Sequence, residues 1–453
     1  LFVGEQSINT RPSRVKNKEE VSYMKGYQKV LGTLVLGCVI VTAAAASGKN
    51  ENQAVTKPAA QKVTILHYMG EASKNDGLAA LVKEITGKNP NSSYEVEGVA
   101  YSQYTGILKT RIAADDAPDL FTGWPNQYTE LIRAGQVLDL SEKPYMKRLI
   151  PWLADEARVN GKLYGFPLDI QLYGTFYNKD VFDKYGLKVP KTLDEYLAIC
   201  ETLMANKVYP FVRSYKNANF PWVEYTCFAY PMLCQSEATK SILWSSIAEK
   251  KTKFKDHPLF AESLRLYDKL LKYTEPGDFG MDSATGINKL ASGERAMTMD
   301  GGWIVGDLYK ANPKGRFGFF PTPWSNDPAK NLASTGLDDV FMVYAKTKNI
   351  EGVDKFLEGL ASNANTNIWM EKAKMISSIA GAPVPKENAV QLDFSTLLTD
   401  NRTIQRSRLI EFSGEYRQKM RANIQLFAAL PAEKRKDIDK FIQDLDAEFA
   451  QIK

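Results

Sequence analysis

Carboxylates, amides and flat aromatic rings carry the chemistry open to this sequence. Asp169 and Asp338 could flank a scissile glycosidic bond, which needs two carboxylates at a set separation. Glu71, Gln171 and Asn126 add further hydrogen-bonding groups. Trp124, Tyr173, Phe220, Trp222 and Trp303 supply flat apolar surface, mostly in loops or just past expected strands. Such a set can bury one face of a small molecule and hold its polar rim, which is the composition of a ligand pocket. Other chemistries lack their residues. The two histidines, His67 and His257, have neither metal-ligand spacing nor a triad pattern. Asp115, Asp116 and Asp119 lack the glycine and glutamate of a Ca²⁺ loop and read as a solvated turn. No Lys-Ser/Thr follows Gly301-Gly302, so this pair is not a phosphate loop. The residues call for no metal and no cofactor.

The elements that position these groups follow from hydrophobic period. Residues 62–66 read as a strand, and Leu78, Leu81, Val82 and Ile85 recur at helical spacing behind it. A strand over 94–99, a helix ending near 113 and a strand over 118–121 continue the alternation. It predicts a mostly parallel sheet covered by helices. Glu71 and Trp124 then sit beyond strand ends, where α/β folds bind ligands. Two extended pieces, 163–167 and 175–178, are separated by a bend in which Pro167 and Gly174 set the backbone. Thr192 with Glu195 forms a capping box. Helical period returns at 257–273, 351–361 and from about 404, with the last helix starting at Pro431.

Length and charge narrow the class. A chain of 453 residues exceeds one ordinary core, so two domains are expected. Residues 1–46 hold six Lys/Arg against three Asp/Glu, so most of the net +5 lies there and the rest offers no footprint for nucleic acid. Met24, Lys25, Lys29, the apolar run Val30–Val41 and Ala43–Ala46 read as a secretory signal over 24–46. Residues 1–23 read as an untranslated or disordered extension, and 47–61 as a flexible tether. Val35-Leu36-Gly37-Cys38 resembles a lipobox, in which Cys38 carries lipid. Val39-Ile40-Val41 depart from that pattern, and cleavage near Ala46-Ser47 is the alternative. Past the leader, Cys200, Cys227 and Cys234 read as buried thiols, with a Cys227–Cys234 bridge as the alternative.

Three stretches, in order, carry a resemblance. They are Gly161-Lys162-Leu163-Tyr164-Gly165-Phe166-Pro167 with Phe176-Tyr177-Asn178-Lys179-Asp180, then Ser292-Gly293-Glu294-Arg295-Ala296-Met297-Thr298-Met299-Asp300-Gly301-Gly302-Trp303, then Gly318-Phe319-Phe320-Pro321-Thr322-Pro323 leading to Thr335-Gly336-Leu337. Together they resemble the family 1 extracellular solute-binding proteins of bacterial ABC importers, the maltose-binding-protein-like group, over about residues 62–390. The resemblance implies a two-lobed α/β periplasmic-binding-protein fold (type II). Lobe one would be 62–167 plus 322–360, and lobe two 172–318 plus 361–453. It also implies a monomer without catalysis, exported to the periplasm or cell surface. That monomer closes on a sugar or oligosaccharide and delivers it to permease subunits. In that setting Trp303 stacks on the sugar, and Asp169 and Asp338 accept from its hydroxyls. A secreted carbohydrate-active enzyme and a reporter to a membrane sensor kinase remain the alternatives.

Overall fold

The computed structural model describes residues 61–234, 247, 250–383, 386, 388–405 and 414–452. The segments 1–23 and 24–46, Cys38, and the tether up to residue 60 lie outside the described residues. Among the described residues, thirteen strands organise the fold. They run as β1 (Gln61–His67), β2 (Ser92–Gly98), β3 (Leu120–Thr122), β4 (Arg158–Val159), β5 (Lys162–Leu163), β6 (Phe166–Pro167) and β7 (Asp169–Asn178). The remainder are β8 (Met297–Gly301), β9 (Phe317–Phe320), β10 (Ala333–Leu337), β11 (Val340–Val343), β12 (Ile376–Ser377) and β13 (Thr403–Gln405). The first sheet has the order β2-β1-β3-β11-β6. The second is built on β7, which pairs with β8, β9, β10 and β12, and β10 carries β13 at its edge.

Alternation along the first sheet feeds two apolar layers. Val63, Ile65, Leu120, Phe341 and Val343 pack with Leu78, Leu81 and Ile85 of helix α1 (Ala72–Lys88). Leu66, Phe121 and Met342 point the other way, onto Tyr104, Leu108 and Ile112 of helix α2 (Tyr101–Ala113). In the second sheet all ten residues of β7 are buried, because strands flank both its edges and helices cover both faces. Thr192 does cap its helix together with Glu195. Cys200, Cys227 and Cys234 are all buried thiols. Among the described residues no helix is long and apolar enough to cross a membrane.

Several expectations need correction. β1, β2 and β3 run parallel, as do β10 and β13, but the strands paired with β7 are antiparallel to it. No bend interrupts 163–178 at Gly174, which lies inside continuous β7. A Cβ there would meet the Phe319 ring at 2.6 Å and the Phe320 carbonyl oxygen at 2.9 Å, so close strand approach explains this glycine. Residues 333–337 pair within the second sheet, whereas the sequence reading places them in lobe one. Helix Asn363–Lys372, assigned above to lobe two, packs on α1 through Trp369, whose ring covers Gly77. The last helical stretch is two helices, Ala432–Arg435 and Ile438–Ala450. Asp119 is no solvated turn residue. It is buried and accepts from the Thr64 amide at 2.8 Å and from Asn349 Nδ2 at 3.2 Å.

Candidate ligand-binding site

The chain passes between the sheets three times, the last between β11 and β12, and the first two crossings are adjacent. It leaves the first sheet at Leu168, between β6 and β7, and returns at Asp338-Asp339, between β10 and β11. The two crossings are hydrogen-bonded to each other. The Leu168 amide donates to the Asp339 carbonyl at 2.8 Å, and the Asp339 amide to Asp169 Oδ1 at 2.9 Å. Three carboxylates therefore meet at the crossing, with oxygens of Asp169, Asp338 and Asp339 within 4.8 Å of one another. Such a group could hold a cation, and the cation beside it is the buried Lys74 of α1. Its Nζ lies 2.6 Å from Asp338 and 2.6 Å from Asp339. Burial works against the Lys74 charge, but Asp338, Asp339 and Asp169 outweigh it and hold the ammonium well above its ordinary range. Burial, then the Asp339 charge, pushes the Asp169 carboxyl up.

Beside this crossing lies a cavity of about 590 Å³, within the range of small-molecule sites. Elements of both lobes line it. Tyr68, Glu71 and Lys74 come from the end of β1 and the start of α1, and Trp124 follows β3. Tyr173 is on β7, Phe220 and Trp222 open helix Phe220–Cys234, Asp300 is near the end of β8, and Trp303 follows it at the start of helix Ile304–Ala311. The Trp303 ring meets Tyr173 edge-on, centroids 5.2 Å apart at 83°. It lies across Gly301, where any Cβ would collide with the indole, so that glycine clears space for the ring. Trp124 Nε1 donates to the Asp338 carbonyl at 2.5 Å, tying one wall to the crossing. Burial pushes the Asp300 carboxyl up to about 7, and pushes Glu71 up as well. The lobes also touch beside the cavity. The Ser73 amide donates to Asp307 Oδ1 at 2.9 Å, and Lys310 pairs with Asp76 at 2.7 Å.

Of the residues singled out from sequence, Glu71, Trp124, Gln171, Tyr173, Phe220, Trp222, Trp303 and Asp338 line the cavity. Two do not. Asn126 sits in the turn Pro125–Gln127 behind Trp124. Asp169 is fully buried and accepts from Trp369 Nε1 at 3.0 Å. It clusters with Asp338 at the crossing and does not line the cavity, so the two do not face a ligand there as a glycosidase pair would. Trp222 belongs to a helix rather than a loop, and only 4% of its surface is exposed. Tyr101, Lys74, Asp300, Asn219, Asp307 and Arg421 line the cavity and were not singled out. Lys74 had a visible signal: with Leu78, Leu81 and Ile85 it occupies the buried stripe of α1, where a lysine must find a partner.

The model of the bacterial extracellular solute-binding protein family matches residues 80–392. The chain belongs to this family. Its members are binding proteins, and the resemblance drawn from the three motifs holds. The multiple sugar-binding protein of Streptococcus mutans is 26% identical over 351 residues, 74% of this chain and 79% of its own length. The melibiose/raffinose/stachyose-binding protein of Bacillus subtilis is 27% identical over 291 residues, 61% of this chain and 65% of its own length. A solute-binding protein solved with raffinose superposes with a TM-score of 0.72 at 22% identity, covering 85% of this chain and 98% of that one. A Bacillus licheniformis sugar transporter protein solved with stachyose gives 0.70 at 18% identity, covering 86% and 100%. These structures share the two-lobed α/β fold, and the family is extracellular.

Proposed function

We propose that this solute-binding protein captures an oligosaccharide between its lobes and delivers it to the permease subunits of an ABC importer. The observation that carries the reading is the cavity itself. Aromatic rings and carboxylates from both lobes converge beside two hydrogen-bonded crossings, so a ligand there contacts both lobes and favours the closed arrangement. Sugar rings suit this lining, since indole and phenol faces cover their C–H surfaces and carboxylates accept from their hydroxyls. The names of the relatives support α-galactosides such as melibiose, raffinose and stachyose as first ligands. In this reading the lobes divide at Leu168, at Asp338-Asp339 and again between β11 and β12, the chain acts as a monomer without turnover, and Cys38 or a cleavage near Ser47 sets the mature N-terminus.

The test is calorimetry and thermal shift with melibiose, raffinose, stachyose and a panel of unrelated oligosaccharides. A ligand at about 100 times its Kd adds roughly 2.7 kcal/mol of stability, which is readily seen as a rise in Tm. Chromatography of the incubated sugar should return it intact. Absence of binding to every sugar tested, or release of monosaccharides, would overturn the proposal.

A further inference from the structure

The family match ends at residue 392, yet the cavity is also lined by Arg421, which lies beyond it. Helix Gly414–Ala429 packs on helix Phe220–Cys234, which opens with cavity residues Phe220 and Trp222. Its apolar stripe is Tyr416, Met420, Ile424 and Phe427, all buried in the second lobe. Residues one position on from a stripe share a neighbouring face, and Arg417 and Arg421, four apart, project together from it. Both reach residues of the first lobe. The Arg417 guanidinium lies 5.6 Å from the Trp124 ring centroid, and that of Arg421 lies 5.5 Å from the Tyr101 ring, both within cation–π range. Arg421 also donates to Asn219 Oδ1 and to the Tyr101 hydroxyl, each at a long 3.5 Å. Its Nε is buried and, among the described residues, has no hydrogen-bond partner. Lys74, the other cation lining the cavity, is held by Asp338 and Asp339, whereas no carboxylate among the described residues pairs with Arg421.

We infer that this C-terminal helix is a clasp of the ligand site: Arg417 fastens the second lobe onto Trp124, and Arg421 is a specificity-determining residue that donates to adjacent hydroxyls of the ligand. A guanidinium offers a rigid fork of donors, which matches two neighbouring hydroxyl oxygens better than a lysine ammonium does. The inference rests on the sugar-binding reading above for the nature of the ligand, but not for the clasp itself.

The experiment compares the full chain with Arg417→Gln, Arg421→Gln and Arg421→Lys, using melibiose, raffinose and stachyose as calorimetric probes. Arg421→Gln should weaken binding about tenfold or more and change the order of preference among the three sugars. Arg421→Lys should keep the charge yet restore only part of the affinity. Arg417→Gln should weaken all three sugars by a common factor and enlarge the radius of gyration of the sugar-bound form. Unchanged affinities and preferences in all three variants would overturn the inference, as would losses explained by a parallel fall in Tm. A second arm needs no sugar. Tyr101→Cys with Arg421→Cys, treated with a short bismaleimide, should give a cross-linked peptide pair by mass spectrometry. If the wild type binds none of the sugars, the proposed function fails, and the cross-link alone decides whether the helix clasps the first lobe. Its absence would overturn the clasp.

Discussion

Replacing Lys74 with Met tests the electrostatics of the crossing. Met keeps an unbranched, flexible stem of similar reach, so the packing of α1 is retained while the charge is lost. Each of Asp338 and Asp339 then loses an ammonium 2.6 Å away, and Asp169 stands behind them. Removing one partner of a buried ion pair costs about 3–5 kcal/mol, because the charges left behind have no compensation. The cost depends on pH, and its sign is fixed. Carboxylates that are harder to ionise in the folded state keep protons that the unfolded chain, with pKa values near 4, gives up. Their contribution to stability therefore falls as pH rises from about 4 through the folded values. Lys74 in the wild type titrates well above this window and stays charged across it. Urea unfolding should thus find Lys74→Met less stable by about 3–5 kcal/mol at pH 8, with the difference shrinking towards pH 5. Asp339→Asn added to Lys74→Met should recover part of the loss at pH 8. A difference below about 1 kcal/mol at pH 8, or one that does not vary with pH, would refute the reasoning.

Three further outcomes are expected. Trp303→Ala should cost about 2 kcal/mol or more of sugar affinity and quench the ligand-induced fluorescence change, while Tm falls far less than for a core tryptophan. Unfolding of that variant, or an unchanged affinity, would place Trp303 in the core instead. Asp300→Asn removes a carboxyl that burial pushes up to about 7. The wild-type contribution to stability is lost as pH rises from about 4 to about 7, so the variant should gain about 2 kcal/mol on the wild type between pH 5 and pH 8, measured by unfolding at both. Gly301→Ala should weaken sugar binding by displacing the Trp303 ring while leaving the circular dichroism unchanged, and unaltered affinity would show that the ring has room to spare.

What was legible in the sequence divides by range of interaction. The Thr192 capping box is local, spans four residues, and was read correctly. The β1–α1–β2–α2–β3 succession was legible because α1 and α2 bury apolar stripes at helical spacing and Tyr94 to Gly98 alternate in type between them. Helix Phe220–Cys234 was not legible, since it is buried all round, with Glu224 paired inside to Arg213 at 2.6 Å, and it has Pro231 in its interior. A helix without a polar face has no amphipathic period to detect. Gly174 was misread because its cause, the approach of Phe319 and Phe320 from β9, is separated from it by most of the second lobe. Trp124, Tyr173 and Trp303, read from motif and loop context, line the cavity, and so does Trp222, which was read as a loop residue but lies in a helix. Arg421 left no trace, because a lone arginine beside an apolar stripe looks like any solvated charge.

The order of the first sheet has a consequence for how the chain acquires its shape. β11 lies between β3 and β6, so the sheet's interior stays open until residues 340–343 have been synthesised. The covering helix Asn363–Lys372 comes later still. Everything from β7 to β10, including the larger part of the second lobe, precedes that closing strand. Contacts this distant along the chain form slowly, because long loops must be brought together before any pairing is rewarded. A protein of an extracellular family crosses its membrane before it works. A first sheet that cannot be completed before residue 343 slows the folding of its lobe, which favours a polypeptide still open enough to thread until that strand has been made.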